Sequence, residues 1–344
     1  HSKTGAILAM ASYPEFDPNR YQNYSRAHHL NQAVTLGYEP GSTFKMITIA
    51  AGLSEGLISP DQEFFCENGK YKIGINLIRD SSPHGVMTLQ QVLKKSSNIC
   101  AAKIGMSMPP TRFHEYIMRF GFGRRPNSGI AAEASGRVIS PKKWQTIDHA
   151  NISFGQAILV SPLQMVSAAN VFANEGKWVP PFIVEYAVDK KGNKLQEIKD
   201  VEGKVSHKFG IGVRSPVVEG SVAELVRKYL ISVTQKGGTA QRAAILGYQV
   251  AGKTGTSQIY DQQLGRYSQT RYIASFVGFA PASDPLVTVL VVVEQPRTSI
   301  YGGTIAAPIF KEIVQRTLLF KDVLPFPEDN SEGTTALLET AVMQ

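Results

Sequence analysis

Cysteine is nearly absent from this sequence: Cys66 and Cys100 are the only two in 344 residues. Two so far apart exclude a metal knuckle and a disulfide-dense scaffold, and leave open whether they are free or paired. No apolar run is long enough to span a bilayer; the strongest, Leu286 to Val293, has strand length. No signal peptide is visible. The chain starts with His1 rather than Met, directly before an apolar run, so a fragment or processed form is expected. The seven histidines show no His-x-x-x-His or clustered Cys/His spacing, so no metal and no cofactor is expected. A Gly-x-Ser-x-Gly elbow is also missing, which argues against a Ser-His-Asp hydrolase. Repeats and low-complexity blocks are lacking. Acidic residues fall short of basic ones, 28 against 36, for a net charge of +8. The excess is scattered in pairs such as Lys94-Lys95 and Arg124-Arg125, without the basic stripe that nucleic-acid binding needs.

What is present is a core-forming composition, with 43% hydrophobic and 19% charged residues, enough for one large domain or two lobes. Ala6 to Ser12 predicts a strand and residues 13–40 a loop. Ser42 to Leu53 reads as a helix after Pro40-Gly41. Residues 86–245 look mainly helical, over 88–107, 110–120, 162–175 and 219–236, with a hairpin or excursion between Val184 and Ser215. Strands follow at 248–254, 272–280 and 286–294, then a closing helix from Ala306 to Phe320. Strands at both ends with helices between predict an α+β fold, an α/β sandwich. Its central antiparallel sheet would be completed by both termini, with an all-helical lobe inserted. The sheet lobe is expected from residues 1–60 and 245–322, the helical lobe from about 61–244, and a tail from 323–344.

Three short patterns carry chemistry. Ser42-Thr43-Phe44-Lys45 is Ser-x-x-Lys, Ser96-Ser97-Asn98 is Ser-x-Asn, and Lys253-Thr254-Gly255 is followed by Thr256. Each is weak alone. A second Ser-x-x-Lys at Ser140 reads as a cap before Pro141, and a second Lys-Thr-Gly at Lys3 reads as a turn. Only the first selection places the motifs in order on a helix, a helical lobe and a late strand. At i, i+3 spacing Ser42 and Lys45 share one helix face. A serine needs a base before it is nucleophilic, and a neutral lysine can serve. Burial lowers a lysine's pKa, as does a second cation such as Lys253. The N–H groups of Ser42 and Thr256 suit an oxyanion hole. Ser96 can relay a proton, and Asn98 can hold a substrate amide and fix Lys45. Lys253, Thr254 and Thr256 suit a substrate carboxylate. Gly255 leaves room for a substrate backbone along the strand.

These motifs together are those of penicillin-binding proteins and β-lactamases. The chain resembles the transpeptidase domain of class B penicillin-binding proteins over roughly residues 3–322. The similarity extends to Pro40-Gly41 before Ser42, His84-Gly85 with Thr88-Leu89, Ser161-Pro162-Leu163-Gln164, Gly238-Thr239-Ala240 and Tyr301-Gly302-Gly303. The strand blocks look more like the septal branch than the elongation branch. The resemblance implies the penicillin-binding protein/β-lactamase-like fold and a peptidoglycan D,D-transpeptidase. Stem peptides ending in D-Ala-D-Ala acylate Ser42, terminal D-Ala leaves, and β-lactams acylate the same serine. It also implies glycosyltransferase and divisome partners, an N-terminal membrane anchor upstream of His1, and work at the periplasmic face of the bacterial cytoplasmic membrane. There the counterparts of the positive charge are anionic lipid headgroups and acidic wall polymer. Two departures stand out: Ala157 where a second Gly is usual after Gly155-Gln156, and Ser257 where Ala is common. The alternatives are a β-lactamase, for which Glu133 lies in the region of a water-activating group but reads as a surface or capping residue, and a β-lactam sensor domain.

Overall fold

A computed structural model describes residues 1–199, 202–261 and 265–325. Its central sheet is antiparallel and three-stranded, with Ala251–Asp261 at one edge, Arg266–Ala280 in the middle and Val287–Glu294 at the other edge. The middle strand alternates between two hydrophobic layers, as a period of two requires. Val277 and Phe279 join the large core built around Phe44, Ile47 and Phe172. Phe276 and Ala280 face the closing helix Gly302–Phe320, where Phe276 meets Phe310 edge to face at 4.8 Å between ring centroids. Helices thus cover both faces of the sheet, the expected sandwich.

The expected strand from Ala6 to Ser12 does not form. Ala6 makes a single parallel bridge to Phe182, and Ser2 N–H bonds to Leu286 O at 2.9 Å, at the end of the sheet. The run is apolar but polar loop follows at once, and Leu8 is exposed. Among the described residues the sheet is therefore made from the C-terminal third alone. The inserted lobe is not all-helical either. Residues 63–88 fold as two nested antiparallel pairs, Glu63–Phe65 with Val86–Thr88 outside and Lys70–Ile73 with Asn76–Arg79 inside. Each of these strands is only three or four residues long, too short for an alternating pattern such as Lys70-Tyr71-Lys72-Ile73 to stand out from loop. The excursion is present, with a turn at Gly192 between Ala187–Val188 and Lys194–Leu195. The part of the tail beyond residue 325 lies outside the described residues.

Helix starts follow their caps. Thr88 and Ser161 each accept a hydrogen bond from the backbone N–H three residues on, and Gln91 and Gln164 return it, so both ends are capping boxes. The helix expected over 88–107 is in fact two, Leu89–Lys95 and Asn98–Met106. Ser96 sits at φ +64°, in the left-handed region, and Ser97 caps the second helix through Cys100 N–H. Two capping serines in succession break the helix where the Ser-x-Asn motif lies. Cys66 and Cys100 are disulfide-bonded, 34 residues apart, joining the hairpin segment to that second helix. Closing a loop of that length stabilises by about 3–4 kcal/mol on the chain-entropy account. The Cys66→Ser/Cys100→Ser double variant is expected to lower the denaturant midpoint accordingly in equilibrium unfolding. An unchanged midpoint would refute that contribution.

Candidate active site

Ser42 lies in the single 3-10 turn Gly41–Phe44, which runs directly into the helix Lys45–Ser54. This turn is pinned on two sides. Gly41 N–H bonds to Gly155 O at 2.9 Å, and Ser257 Oγ donates to Glu39 O at 2.8 Å. Gly155 must be glycine: a Cβ there would stand 2.1 Å from Gly41 O. Ser42 itself is half-buried, while Lys45 below it is fully buried.

Lys45 Nζ has four neighbours. It lies 2.9 Å from Ser42 Oγ, 2.5 Å from Ser96 O, 3.1 Å from Ser96 Oγ and 2.7 Å from Asn98 Oδ1. Asn98 Nδ2 donates to Arg79 O at 2.9 Å, which turns the amide oxygen toward the lysine. The two carbonyl oxygens can take the two N–H bonds of a neutral amine. Its lone pair is then left for a hydroxyl proton, and Ser42 Oγ is in place to supply one. Burial lowers the Lys45 pKa from 10.5 to about 7, with the Asp80 charge opposing it.

Lys253 comes from the edge strand and is also fully buried. Its Nζ donates to Ser96 Oγ at 2.9 Å, so one hydroxyl stands between the two lysines. Burial is the largest cause that lowers Lys45, and Lys253 is pushed well below 10.5 by burial and then by the like charge of Lys45. Thr254 and Thr256 alternate to the other face of the strand. Thr254 Oγ1 lies 3.0 Å from Thr239 Oγ1, and Thr256 Oγ1 accepts Gly302 N–H at 3.3 Å.

Gly255 has a different reason from the one expected. A Cβ there would point inward, 2.3 Å from Ser275 Oγ and 3.0 Å from both Pro40 O and Thr43 Cγ2. Its missing side chain lets the edge strand lie against the serine turn. Gly255→Ala is expected to slow acylation of Ser42 about 10²-fold by forcing the two apart, and to destabilise by about 1–3 kcal/mol. Acylation kinetics and thermal melts check it; native kinetics would overturn it.

Three supporting residues carried no sequence signal or no assigned role. Asp80 accepts from Ser97 Oγ at 2.6 Å, from Asn98 N–H at 2.5 Å and from Ile99 N–H at 3.1 Å. Glu39 Oε1 accepts from Ala157 N–H and from Tyr267 OH, both at 2.9 Å, and burial pushes its carboxyl pKa up. Thr239 belongs to a block that resembled the family without a role. The two departures thus touch the site's support. Ala157 holds φ +58°, unfavourable for a residue with a Cβ, and Ser257 adds a bond to the serine turn. Glu133 is buried rather than exposed. Its carboxylate accepts from Asn127 N–H at 2.6 Å, Ser128 N–H at 2.7 Å and Ser128 Oγ, so it organises its own loop. Ser140 stands at the N-cap position of only the three-residue turn Pro141–Lys143 and makes no side-chain capping bond there, and Lys3 sits in a turn, as expected.

A serine, a buried amine and a shared second hydroxyl form the arrangement that a serine-type acyl-transfer enzyme with a lysine base needs. Residues 1–315 match the penicillin binding protein transpeptidase domain, and the chain belongs to that family. It is 32% identical to a probable peptidoglycan D,D-transpeptidase PenA of Neisseria flavescens, over 94% of this chain and 75% of the relative. It is 33% identical to the stage V sporulation protein D of Bacillus subtilis, over 92% and 48%. The chain spans about half the length of most of these relatives. Among solved structures, penicillin-binding protein 3 of Mycobacterium tuberculosis in complex with aztreonam aligns with a TM-score of 0.84 and 31% identity, over 95% of this chain and 72% of that one. The penicillin-binding protein 3 transpeptidase domain of Burkholderia pseudomallei aligns at 0.78 and 32%, over 94% and 87%.

Proposed function

We propose that this domain is a peptidoglycan D,D-transpeptidase acting through a Ser42 acyl-enzyme and acylated at the same atom by β-lactams. The observation that carries the reading is the Lys45 amine, buried and 2.9 Å from Ser42 Oγ. Ser42 Oγ attacks the carbonyl carbon of the penultimate D-Ala, and its proton passes to Lys45. The N–H groups of Ser42 and Thr256 face the developing oxyanion. Collapse breaks the C–N bond to the terminal D-Ala, whose nitrogen takes a proton through Ser96 Oγ, and D-Ala leaves. An acceptor amine then attacks the ester carbonyl, forms the crosslink and returns a proton to Ser42.

The edge position of Ala251–Asp261 supports peptide binding, because an extended substrate can add to its free side. Lys253, Thr254 and Thr256 meet the substrate carboxylate, and the arriving anion restores the charge that burial disfavours on Lys253. The bonds that absorb Glu133 favour this reading over a β-lactamase, since they leave no carboxylate there to activate water. A relative from Buchnera aphidicola carries the name FtsI. With the penicillin-binding protein 3 matches, that name supports septal wall synthesis, divisome and glycosyltransferase partners, and an anchored position facing the periplasm. Among the described residues no helix is long and apolar enough to cross a membrane.

The test supplies a stem peptide ending in D-Ala-D-Ala with an acceptor amine. D-Ala release with crosslinked product is expected, and a penicillin adduct that persists for minutes or longer. Rapid drug turnover would replace the reading with a β-lactamase. An adduct without any D-Ala release would replace it with a sensor.

A further inference from the structure

We propose that Asp80 is a positioning residue of the reaction, locking the Ser96–Asn98 corner onto Lys45. The inference rests on Lys45 being the base for Ser42. Three consecutive residues converge on this one carboxylate: Ser97 through Oγ, Asn98 and Ile99 through backbone N–H. The two N–H groups are donors that the start of a helix leaves unpaired. The same corner supplies every acceptor of Lys45 other than Ser42: Ser96 O, Ser96 Oγ and Asn98 Oδ1. The neighbouring Arg79 O fixes the flip of the Asn98 amide. Residues 79 and 80 thus hold both the backbone and the side chain of Asn98.

The clamp is itself held. Asp80 N–H bonds to Gly69 O at 3.2 Å, three residues after Cys66. Cys66 is bonded to Cys100, in the first turn of the helix that Asp80 caps. A left-handed Ser96 between two helix ends is not a conformation the chain prefers locally. Pins on both sides of it make the corner rigid.

Asp80 also carries charge. The charged groups that bear on Lys45 are Asp80 from the hairpin segment and Lys253 from the edge strand; Ser42, Ser96 and Asn98 are neutral. Asp80 favours the ammonium form of Lys45 and so holds the amine near neutrality against burial, which would take it lower.

The test compares native protein with Asp80→Asn, Asp80→Glu and Asp80→Ala in acylation by a labelled penicillin across pH 5 to 9. Asp80→Asn keeps the shape and removes the charge. Its acid limb is expected to move down by about one pH unit, with a plateau about tenfold lower. Asp80→Glu keeps the charge but misplaces it, so its limb stays at the native pH while the rate falls about 10²-fold. Asp80→Ala loses both features. Native melting of Asp80→Asn separates these effects from misfolding. Lys45 labelled with carbon-13 is titrated by NMR in native protein and in Asp80→Asn. That midpoint must fall even if Lys45 proves not to be the base, which would show separately as a native rate without an acid limb. An Asp80→Asn limb and lysine midpoint that both stay native would overturn the proposal and reduce Asp80 to a helix cap.

Discussion

Ser42→Ala is expected to leave no covalent adduct with a labelled penicillin, while the protein melts as the native form does. Acylation forms a bond to Ser42 Oγ, so removing that oxygen removes the reaction itself; nucleophile deletions of this kind lower turnover about 10⁶-fold. The fold has little at stake. Ser42 is half-buried, and its hydroxyl is one of four neighbours of Lys45. Lys45 keeps Ser96 O and Asn98 Oδ1, so the stability change is about 1 kcal/mol or less. Ser140→Ala is the matched control, because Ser140-Pro141-Lys142-Lys143 carries the same spacing. There Ser140 is exposed and begins a three-residue turn. Intact-mass and peptide-level spectrometry should find the adduct on the Ser42 peptide in native protein and in Ser140→Ala, and nowhere in Ser42→Ala. An adduct retained in Ser42→Ala would remove Ser42 as nucleophile.

The site was legible where its residues are close in sequence. Ser42 with Lys45, and Ser96 with Asn98, are one turn or less apart, and the copies that motif order selected over Ser140 and Lys3 are the ones the structure brings together. What was not legible comes from contacts that leave no local trace. Asp80 reaches its partners 17 to 19 residues away, beyond the strand Val86–Thr88 and the helix Leu89–Lys95, from a loop without periodicity. Glu39 adjoins Pro40, but Ala157 and Tyr267 are 118 and 228 residues off. The fold shows the same division. The last two sheet strands are apolar runs bounded by Pro281 and Pro285, and they were found. The extensions of the first and middle strands were not: Thr256–Asp261 and Arg266–Arg271 are polar and partly exposed, so pairing rather than pattern makes them strand. In the opposite direction, the apolar run after Gly5 promised a strand and found one bridge.

The second large effect is that of the amine. With an ordinary pKa of 10.5, Lys45 would be a free base about once in 3,000 molecules at pH 7; at about 7 it is free in about half. Burial thus gives roughly a thousandfold more active base, before any effect of placement. Acylation should rise with pH, bend near 7 and flatten above it. Lys45→Met keeps most of the apolar stem and removes the base, and acylation should fall about 10²–10⁴-fold, the usual worth of a positioned general base. Stability moves the other way. Between pH 7 and 10.5 the unfolded chain holds a proton on this lysine that the native protein lacks, so native stability rises with pH across that window. Below pH 7 the native protein must carry the buried charge. Lys45→Met escapes that cost, and should melt at or above the native temperature at pH 6 with a shallower slope toward pH 10. Slope that survives belongs to Lys253, the other fully buried amine, joined below pH 8 by the His1 amino group, which burial lowers to about 6. Fluorescent-penicillin acylation rates from pH 5.5 to 9, with melts over the same range, test both signs. A Lys45→Met rate within tenfold of native, or a native profile flat through pH 7, would end the assignment of Lys45 as base. A variant that melts far below native at pH 6 would show instead that the ammonium is a net support of the fold.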